Sequence, residues 1–216
     1  YAISILSSKM FKPLEDQPFA QCYVGFDIET EVDTNGVHRF IMCSLYNEEH
    51  HIKKIFSSAA ETLKEMVRLK KRLNCHFVAT NLHFDLFELF KTLPHAKYLT
   101  PSFRKSNLLF AKYAYTSDKQ KERKNDARHI VYVDTLNFLK MGVESLGEKL
   151  LHIPKLPKPS FLGRYPKDTD EWCEMCTYCL RNSEISQKSM KKIHDMLYNF
   201  EYECQRFKIP LPTWRH

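Results

Sequence analysis

Two apolar, β-rich stretches separated by a turn signal place the strongest constraint on how this chain can fold. Residues 22–28 (CYVGFDI) and 38–46 (HRFIMCSLY) have the composition of strands. Residues 33–36 between them are DTNG, residue types that tolerate positive φ angles in tight turns. The pattern predicts two strands joined as a hairpin.

Strands and helices alternate along the rest of the chain. Further strands are predicted at residues 51–56, 77–79, 107–116 and 129–134. Helices are predicted at residues 57–73, 84–92, 143–151 and 168–205. A charged loop at residues 117–127 (SDKQKERKNDA) joins the last two strands. The alternation predicts an α/β fold, and a single domain over residues 1–216 is the simplest organisation.

Charge favours a polyanionic partner without establishing one. The 216 residues include 33 basic and 26 acidic side chains, a formal net charge of +7. Such a balance attracts nucleic acid, although many basic domains bind none. No apolar run approaches the roughly 18–20 residues of a membrane span, and the first residues lack a signal-peptide pattern. We expect a soluble, intracellular domain and, from its start at Tyr1 instead of Met, one cut from a longer protein.

The cysteines are typical of reduced thiols. Their number, seven, is odd, and they are scattered through predicted strands and helices. Cys173, Cys176 and Cys179 form the one conspicuous cluster, because a spacing of three puts them along one helical stripe. A zinc or iron–sulfur site would need a fourth ligand, and Cys204 is the only later cysteine. Buried helix packing is the favoured interpretation, with a metal cluster as the alternative.

Several positions have the residue types of a metal-dependent active site. Asp27 and Glu29 lie two apart at the end of an apolar strand, so their carboxylates share one face. Asp85 follows a short strand at a helix start, and Tyr178 and Asn182 lie four apart on one helical face. Each has a simpler alternative: chance for the Asp-x-Glu pair, helix capping for Asp85, and core packing for Tyr178.

Phosphodiester hydrolysis is the chemistry that such a set would serve. Charge must be neutralised on the attacking water, the phosphoryl oxygens and the leaving oxygen. Two divalent ions about 3.5–4 Å apart can do this, and carboxylates are their usual hard ligands. A site of this kind needs three or four carboxylates from separate segments. Three are present here, and Asn182 stands in the fourth position.

Three short segments together resemble a known family. The segments GFDIET (25–30), NLHFD (81–85) and YCLRN (178–182) resemble the exonuclease motifs of family B DNA polymerases. Residues 133–151 also resemble a segment of the protein-primed branch, found in bacteriophages and linear plasmids. The resemblance spans roughly residues 20–190. It implies a ribonuclease H-like exonuclease fold of the DEDDy type, with a mixed central sheet flanked by helices.

The resemblance also implies roles for the site residues. Asp27 would bridge two metal ions, Mg²⁺ or Mn²⁺, and Glu29 would bind the first of them beside the attacking water. Asp85 would hold the second ion, partly through water. Tyr178 would orient the nucleophilic water. Asn182 stands where the family has its last metal-binding Asp, so its amide oxygen could still ligate but the negative charge is gone.

Other residues would contact the substrate strand by the same resemblance. Thr30, Asn81 and Phe84 would contact the 3′ end of a single strand, Phe84 by stacking on a base. Thr135 and Leu136 would touch the same strand. The scissile phosphate would be contacted by a lysine of the 155–158 segment, either Lys155 or Lys158.

The sequence therefore predicts a 3′→5′ exonuclease that removes nucleotides from single-stranded DNA 3′ ends, as in proofreading. Asn182 would inactivate or weaken it, either as an engineered change or as a naturally degenerate site. No segment resembles the polymerase motifs of the family, so a polymerase or other module would belong to the parent protein. The alternatives are a catalytically dead module that binds single strands and an exonuclease that trims RNA, because nothing in the sequence identifies a 2′-hydroxyl contact.

Overall fold

The fold is built on a seven-stranded sheet. The computed structural model describes residues 22–94, 96–104, 106–115 and 129–206. The strands are β1 (Cys22–Val32), β2 (His38–Asn47), β3 (Ile52–Phe56), β4 (Cys75–Ala79), β5 (Leu99–Arg104), β6 (Asn107–Ala114) and β7 (His129–Asp134). The helices are α1 (Ala59–Leu73), α2 (Leu82–Phe90), α3 (Val143–Ser145, continued as a π-helix over Leu146–Leu151) and α4 (Thr169–Arg206).

The sheet mixes parallel and antiparallel strands. Its order is β3-β2-β1-β4-β7-β6-β5. The pairs β1–β2 and β2–β3 are antiparallel, β1–β4 and β4–β7 are parallel, and β7–β6 and β6–β5 are antiparallel again. Helices cover both faces. The predicted α/β class with a mixed central sheet flanked by helices is therefore confirmed.

The predicted hairpin joins β1 and β2. Its register runs through to Val32 opposite His38. In the turn, the Asp33 carboxylate accepts hydrogen bonds from the backbone N–H groups of Asn35 (2.9 Å) and Val37 (3.0 Å). Gly36 has a φ of +76°, which a side chain would disfavour. Residues 33–36 (DTNG) thus form the turn that the sequence predicts.

Strand β5 is a departure from the sequence prediction. The segment Leu99–Arg104 contains Pro101 and lacks alternating apolar residues, so it gives no strand signal. The sheet accepts Pro101 because β5 is the edge strand and pairs only with β6. The predicted charged loop at residues 117–127 lies outside the described residues.

The side chains of strand β1 alternate between two different surroundings. Val24, Phe26 and Ile28 belong to the main apolar cluster, which also contains buried side chains of α1 and α2. The alternate positions, among them Gly25 and Asp27, face α4 on the other side. One face of β1 therefore supplies the core and the other supplies the polar residues.

The position of Asp27 and Glu29 in β1 corrects the sequence prediction. Both carboxylates were expected at the end of a strand, but β1 continues to Val32 and is a central strand of the sheet. The parallel pairing of β1 with β4 ends at Gly25 opposite Val78. Beyond that point one side of β1 is left open to the start of α2. The polar pair lies beside this opening.

In residues 22–94, 96–104, 106–115 and 129–206, no helix combines the length and the apolar composition that crossing a bilayer requires.

The contact between α4 and β1 leaves no room for a side chain at Gly25. A Cβ there would lie 2.0 Å from the carbonyl oxygen of Ser183 and 2.9 Å from Cβ of Gln187. We expect Gly25→Ala to lower the free energy of unfolding by about 2–4 kcal/mol, because α4 would have to move away from the sheet. Denaturant unfolding measures this. Gly142→Ala is the control, since a Cβ at Gly142 meets nothing within 4 Å, and equal losses in both variants would contradict the packing argument.

Candidate metal centre between β1, α2 and α4

The strand β1 supplies two carboxylates to one small region. Glu29 is 7% exposed and Asp27 is half-buried, and both belong to the face of β1 that α4 covers. The side chain of Asn182 on α4 donates a hydrogen bond from Nδ2 to Oδ2 of Asp27 at 3.2 Å. The structure thus brings together two of the predicted site residues on β1 with one on α4.

Asp85 approaches the same strand from α2. Its side chain is 4% exposed, and its Oδ1 accepts a hydrogen bond from the backbone N–H of Ile28 at 3.0 Å. The capping alternative for Asp85 is wrong, because α2 already begins at Leu82. Asp134 at the end of β7 takes that role instead, accepting from the backbone N–H groups of Asn81 (3.2 Å) and Leu82 (2.9 Å). Asp85 is therefore left to face the β1 carboxylates.

Helix α4 contributes Tyr178 and Asn182 one turn apart. Tyr178 is 5% exposed, and Nζ of Lys155 lies 5.2 Å from the centre of its ring. The Oδ1 atom of Asn182 is buried and has no hydrogen-bond partner among the described residues. An acceptor oxygen in that state is costly unless a cation or a donor reaches it.

Burial disfavours ionisation of all three carboxylates, and neighbouring negative charge adds to this effect at Glu29 and Asp85. Burial raises the pKa of Asp27 to about 6, although the hydrogen bond from Asn182 acts in the opposite direction. Burial and then the charge of Asp27 raise the pKa of Glu29 to about 9. The same two causes, in that order, raise the pKa of Asp85 well above its usual value. The positive charge of Lys155 lowers the pKa of both Asp27 and Glu29.

This donor set fits a divalent cation. Hard carboxylate oxygens converge from β1 and α2, and the unpartnered Oδ1 of Asn182 adds a neutral oxygen from α4. A carboxylate oxygen of Asp27, one of Glu29 and Sγ of Cys179 lie within 4.8 Å of one another. Bound positive charge would favour the ionised form of these three buried carboxyl groups, whose pKa values are raised in its absence.

Cys179 is a member of the site that sequence analysis missed. Its neighbours Cys176 and Met175 pack with it in an apolar cluster, so the packing interpretation holds for Cys176 and Cys179, whereas Cys173 is exposed. The spacing of three placed Cys179 on one helical stripe with Cys173 and Cys176 but carried no sign that Cys179 would face β1. That contact depends on the packing of α4 against a strand about 150 residues earlier.

Three predicted strand-contacting residues lie next to one another. Oγ1 of Thr30 is 2.8 Å from Nδ1 of His38, and the His38 ring meets the Phe84 ring edge-on at 5.3 Å. Asn81 is exposed at the start of α2, with a φ of +68°. His38 was missed, because its partners come from across the β1–β2 hairpin and from α2.

The remaining predicted contacts differ in their accessibility. Thr135 is fully buried, and its hydroxyl is 2.8 Å from that of Thr80. Its side chain can therefore support neighbouring residues that contact a nucleic-acid strand, but it cannot contact the strand itself. Leu136 is half-buried. Of the two candidate lysines, Lys155 is half-buried over Tyr178, whereas Lys158 is exposed. The structure thus places Lys155 against the site.

Comparison with known proteins yields similarity of fold alone. No family model matches the sequence, and no curated protein does. The structure of Phi29 DNA polymerase complexed with primer-template DNA and incoming nucleotide substrates is similar, with a TM-score of 0.57 and 17% identity over 81% of this chain. Phi29 DNA polymerase complexed with single-stranded DNA is also similar, with a TM-score of 0.53 and 16% identity over 84% of this chain. This chain spans 31% of either polymerase chain. The likeness supports a ribonuclease H-like mixed sheet.

The buried acids make the metal-free fold sensitive to pH. A carboxyl group whose pKa is raised on folding holds a proton that the unfolded chain has lost, so rising pH favours unfolding. For Glu29 the window runs from its usual 4.5 to about 9. We expect the free energy of unfolding in EDTA to fall by about 1–2 kcal/mol between pH 6.5 and 8, measured by denaturant titration.

The pH window is chosen to isolate this effect. Burial lowers the pKa of His76 to about 4, so this residue makes the free energy of unfolding rise with pH, mainly below pH 6.5. Burial raises the pKa of thiols such as Cys43, and their effect on stability lies above pH 8. Glu29→Gln should reduce the dependence of the free energy of unfolding on pH. Glu174→Gln removes an exposed carboxylate from α4 and should leave that pH dependence unchanged. Stability that stays level or rises from pH 6.5 to 8 in the parent chain would contradict the prediction.

Proposed function

We propose that this chain is a divalent-metal-dependent 3′→5′ exonuclease domain of the proofreading type, weakened by Asn182. The observation that carries the proposal is that Asn182 of α4 and Asp85 of α2 both hydrogen-bond to β1 at or next to Asp27 and Glu29, while Lys155 lies close to these two carboxylates and to the ring of Tyr178. All of these residues except Lys155 belong to the three family-like motifs. They come from segments more than fifty residues apart in sequence, and the fold collects them at one place.

The ligands in this proposal are Asp27, Glu29, Asp85 and Oδ1 of Asn182. When bound, two divalent ions, Mg²⁺ or Mn²⁺, would supply the charge that lets water attack the phosphodiester and lets the 3′-oxygen leave. The burial of the ligands strengthens this charge stabilisation, because little water is present to screen it. Their raised pKa values mean that ion binding must displace protons near neutral pH.

Tyr178 and Lys155 would act on the water and the phosphate. The Tyr178 hydroxyl can accept from and donate to a water molecule held between α4 and β1, and so fix its orientation. Lys155 lies over the Tyr178 ring, where its ammonium group can meet a phosphoryl oxygen and also holds that ring in place. The two residues would therefore act as one positioning unit.

The substrate strand would lie along the start of α2. Phe84 offers a half-buried aromatic ring held edge-on by His38, and a base can stack on its remaining face. The formal charge of +7 favours a polyanion. DNA is proposed over RNA because the similar polymerase structures were solved with DNA. We also propose that this chain is one domain of a longer protein, since it spans 31% of those chains.

A module that binds single strands without cutting them is the second candidate. Asn182 is the observation in its favour, because its Nδ2 already satisfies Asp27 in the absence of a cation. The two candidates differ in whether restoring a carboxylate at position 182 restores hydrolysis.

Asn182→Asp is the decisive substitution. We expect it to raise metal-dependent shortening of 5′-labelled single-stranded DNA from its 3′ end by roughly 100-fold or more, because the position regains an anionic ligand. In EDTA the same variant should be less stable, by about 1–3 kcal/mol, since a hydrogen bond to Asp27 becomes a repulsion. Added Mn²⁺ should reverse that loss.

The controls separate the candidates. Adding Asp27→Asn to the Asn182→Asp chain should abolish cleavage, which excludes a contaminating nuclease. Cleavage of RNA of the same sequence, measured in parallel, shows whether the chain prefers deoxyribose or ribose in its substrate. If the Asn182→Asp chain cuts neither strand in Mg²⁺ or Mn²⁺ but binds single strands, the binding module is the correct function.

The two candidate lysines give a further prediction. In the Asn182→Asp chain, we expect Lys155→Ala to lower kcat/KM by roughly 10-fold or more, because a charge close to the carboxylates and Tyr178 is lost. Lys158→Ala, an exposed lysine of the same segment, should change it less than about twofold. Equal effects of the two substitutions would mean that the segment contributes only general positive charge.

A further inference from the structure

Cys179 is the unusual chemical group of the site. It lies on α4 next to Tyr178 and is fully buried. Its thiol donates a hydrogen bond to the backbone carbonyl of Asp27 at 3.4 Å, and Sγ lies 3.2 Å from Oγ of Ser44. The thiol therefore sits at the base of the carboxylate pair, not on the outer surface of the helix.

Two independent observations point to a cation at this position. Sγ of Cys179 and carboxylate oxygens of Asp27 and Glu29 lie within 4.8 Å of one another, a spread that one ion can span. The side chain of Asn182 is 5% exposed, bonds to Asp27 through Nδ2, and leaves Oδ1 buried without a partner. The second observation is an unsatisfied oxygen next to the first group of ligands.

The charge balance indicates what kind of ion would bind. With Asn182 neutral, α4 supplies no carboxylate to the site. Burial raises the pKa of Cys179 well above its usual value, so the thiol is neutral without a cation. A bound ion that displaces its proton would make a thiolate one turn earlier on the same helix, and this would supply the missing negative charge. Thiolates favour thiophilic ions such as Zn²⁺ and Cd²⁺, whereas Mg²⁺ prefers oxygen ligands alone.

We propose that Asp27, Glu29 and Cys179 form a thiolate–carboxylate site that takes a thiophilic divalent ion in preference to Mg²⁺. On binding, the S–H bond of Cys179 breaks, a sulfur–metal bond forms, and the proton leaves to solvent. The inference rests on the metal-binding residues of the proposed function and, for the chain with Asn182, replaces Mg²⁺ with a thiophilic ion at the Asp27–Glu29 position. It rests only on the metal-binding part of that function, so it can be tested independently of DNA cleavage.

The test is a Cd²⁺ titration that follows the ultraviolet sulfur-to-cadmium charge-transfer band. All chains are reduced, stripped with chelator and carry Cys173→Ser, which removes an exposed thiol. We expect the background chain to develop the band at a tight site. Cys179→Ser should remove the band from that site and weaken Cd²⁺ binding by roughly 100-fold, because the thiolate ligand is lost.

Two further variants give the test its controls. Cys176→Ser changes a half-buried thiol one turn earlier on α4 and should leave the tight site intact. Asp27→Asn keeps the thiol but removes its carboxylate partner, so it should weaken Cd²⁺ binding as well. Zn²⁺ should displace Cd²⁺ at stoichiometric concentration, whereas Mg²⁺ in roughly 1,000-fold excess should not.

An unchanged band in Cys179→Ser, or full affinity in Asp27→Asn, would overturn the inference. These outcomes are distinct from failure of the proposed function. A chain that loses the band in Cys179→Ser but cuts no DNA as Asn182→Asp supports the thiolate site without an exonuclease. A chain that cuts DNA as Asn182→Asp in Mg²⁺, with Cd²⁺ binding indifferent to Cys179, supports the exonuclease and overturns the thiolate site.

Discussion

The close contact of α4 with β1 is the constraint on which the rest of the site depends. Gly25 allows the helix backbone to approach the strand to a distance that no other residue would permit. Next to that point, the Ser44 hydroxyl of β2 donates to the carbonyl oxygen of Cys179 at 2.9 Å and is also hydrogen-bonded to the Ser183 hydroxyl. These polar contacts fix the helix along its axis and in rotation. Asn182 consequently faces Asp27 of β1, and Tyr178, one turn earlier, is buried as well.

The fold holds more negative charge at this place than its own cations offset. A backbone N–H donates to Asp85, and the Asn182 amide donates to Asp27, yet burial still raises the pKa of both carboxyl groups, and the charge of Asp27 raises that of Asp85 further. A protein selected for stability alone would have apolar or neutral residues here. Strongly shifted carboxyl groups in a shared site are typical of functional positions, where stability is reduced in favour of ligand binding.

Periodicity predicted the parts of this arrangement that lie within one element. A period of two put Asp27 and Glu29 on one face of β1, and a helical period put Tyr178 and Asn182 together on α4. Contacts made between distant segments carried no local signal. Asp134 at the end of β7 caps α2 and thereby frees Asp85, and Cys179 meets β1 only through tertiary packing. Strand β5 was missed for a different reason. Its proline counted against a strand in the sequence, but an edge strand tolerates a proline that would disrupt a central one.

The amide at position 182 has opposite consequences for the fold and for metal binding. Its Nδ2 gives Asp27 a hydrogen-bond donor that a carboxylate could not provide, so the metal-free fold is more stable with Asn than with Asp. The same exchange removes one negative charge from the ligands and leaves Oδ1 without a partner. Under the proposed function, an amide at this position is therefore compatible with an intact fold and with weaker metal binding. A thiolate at Cys179 would return the lost charge, but in a form that selects a different class of ion.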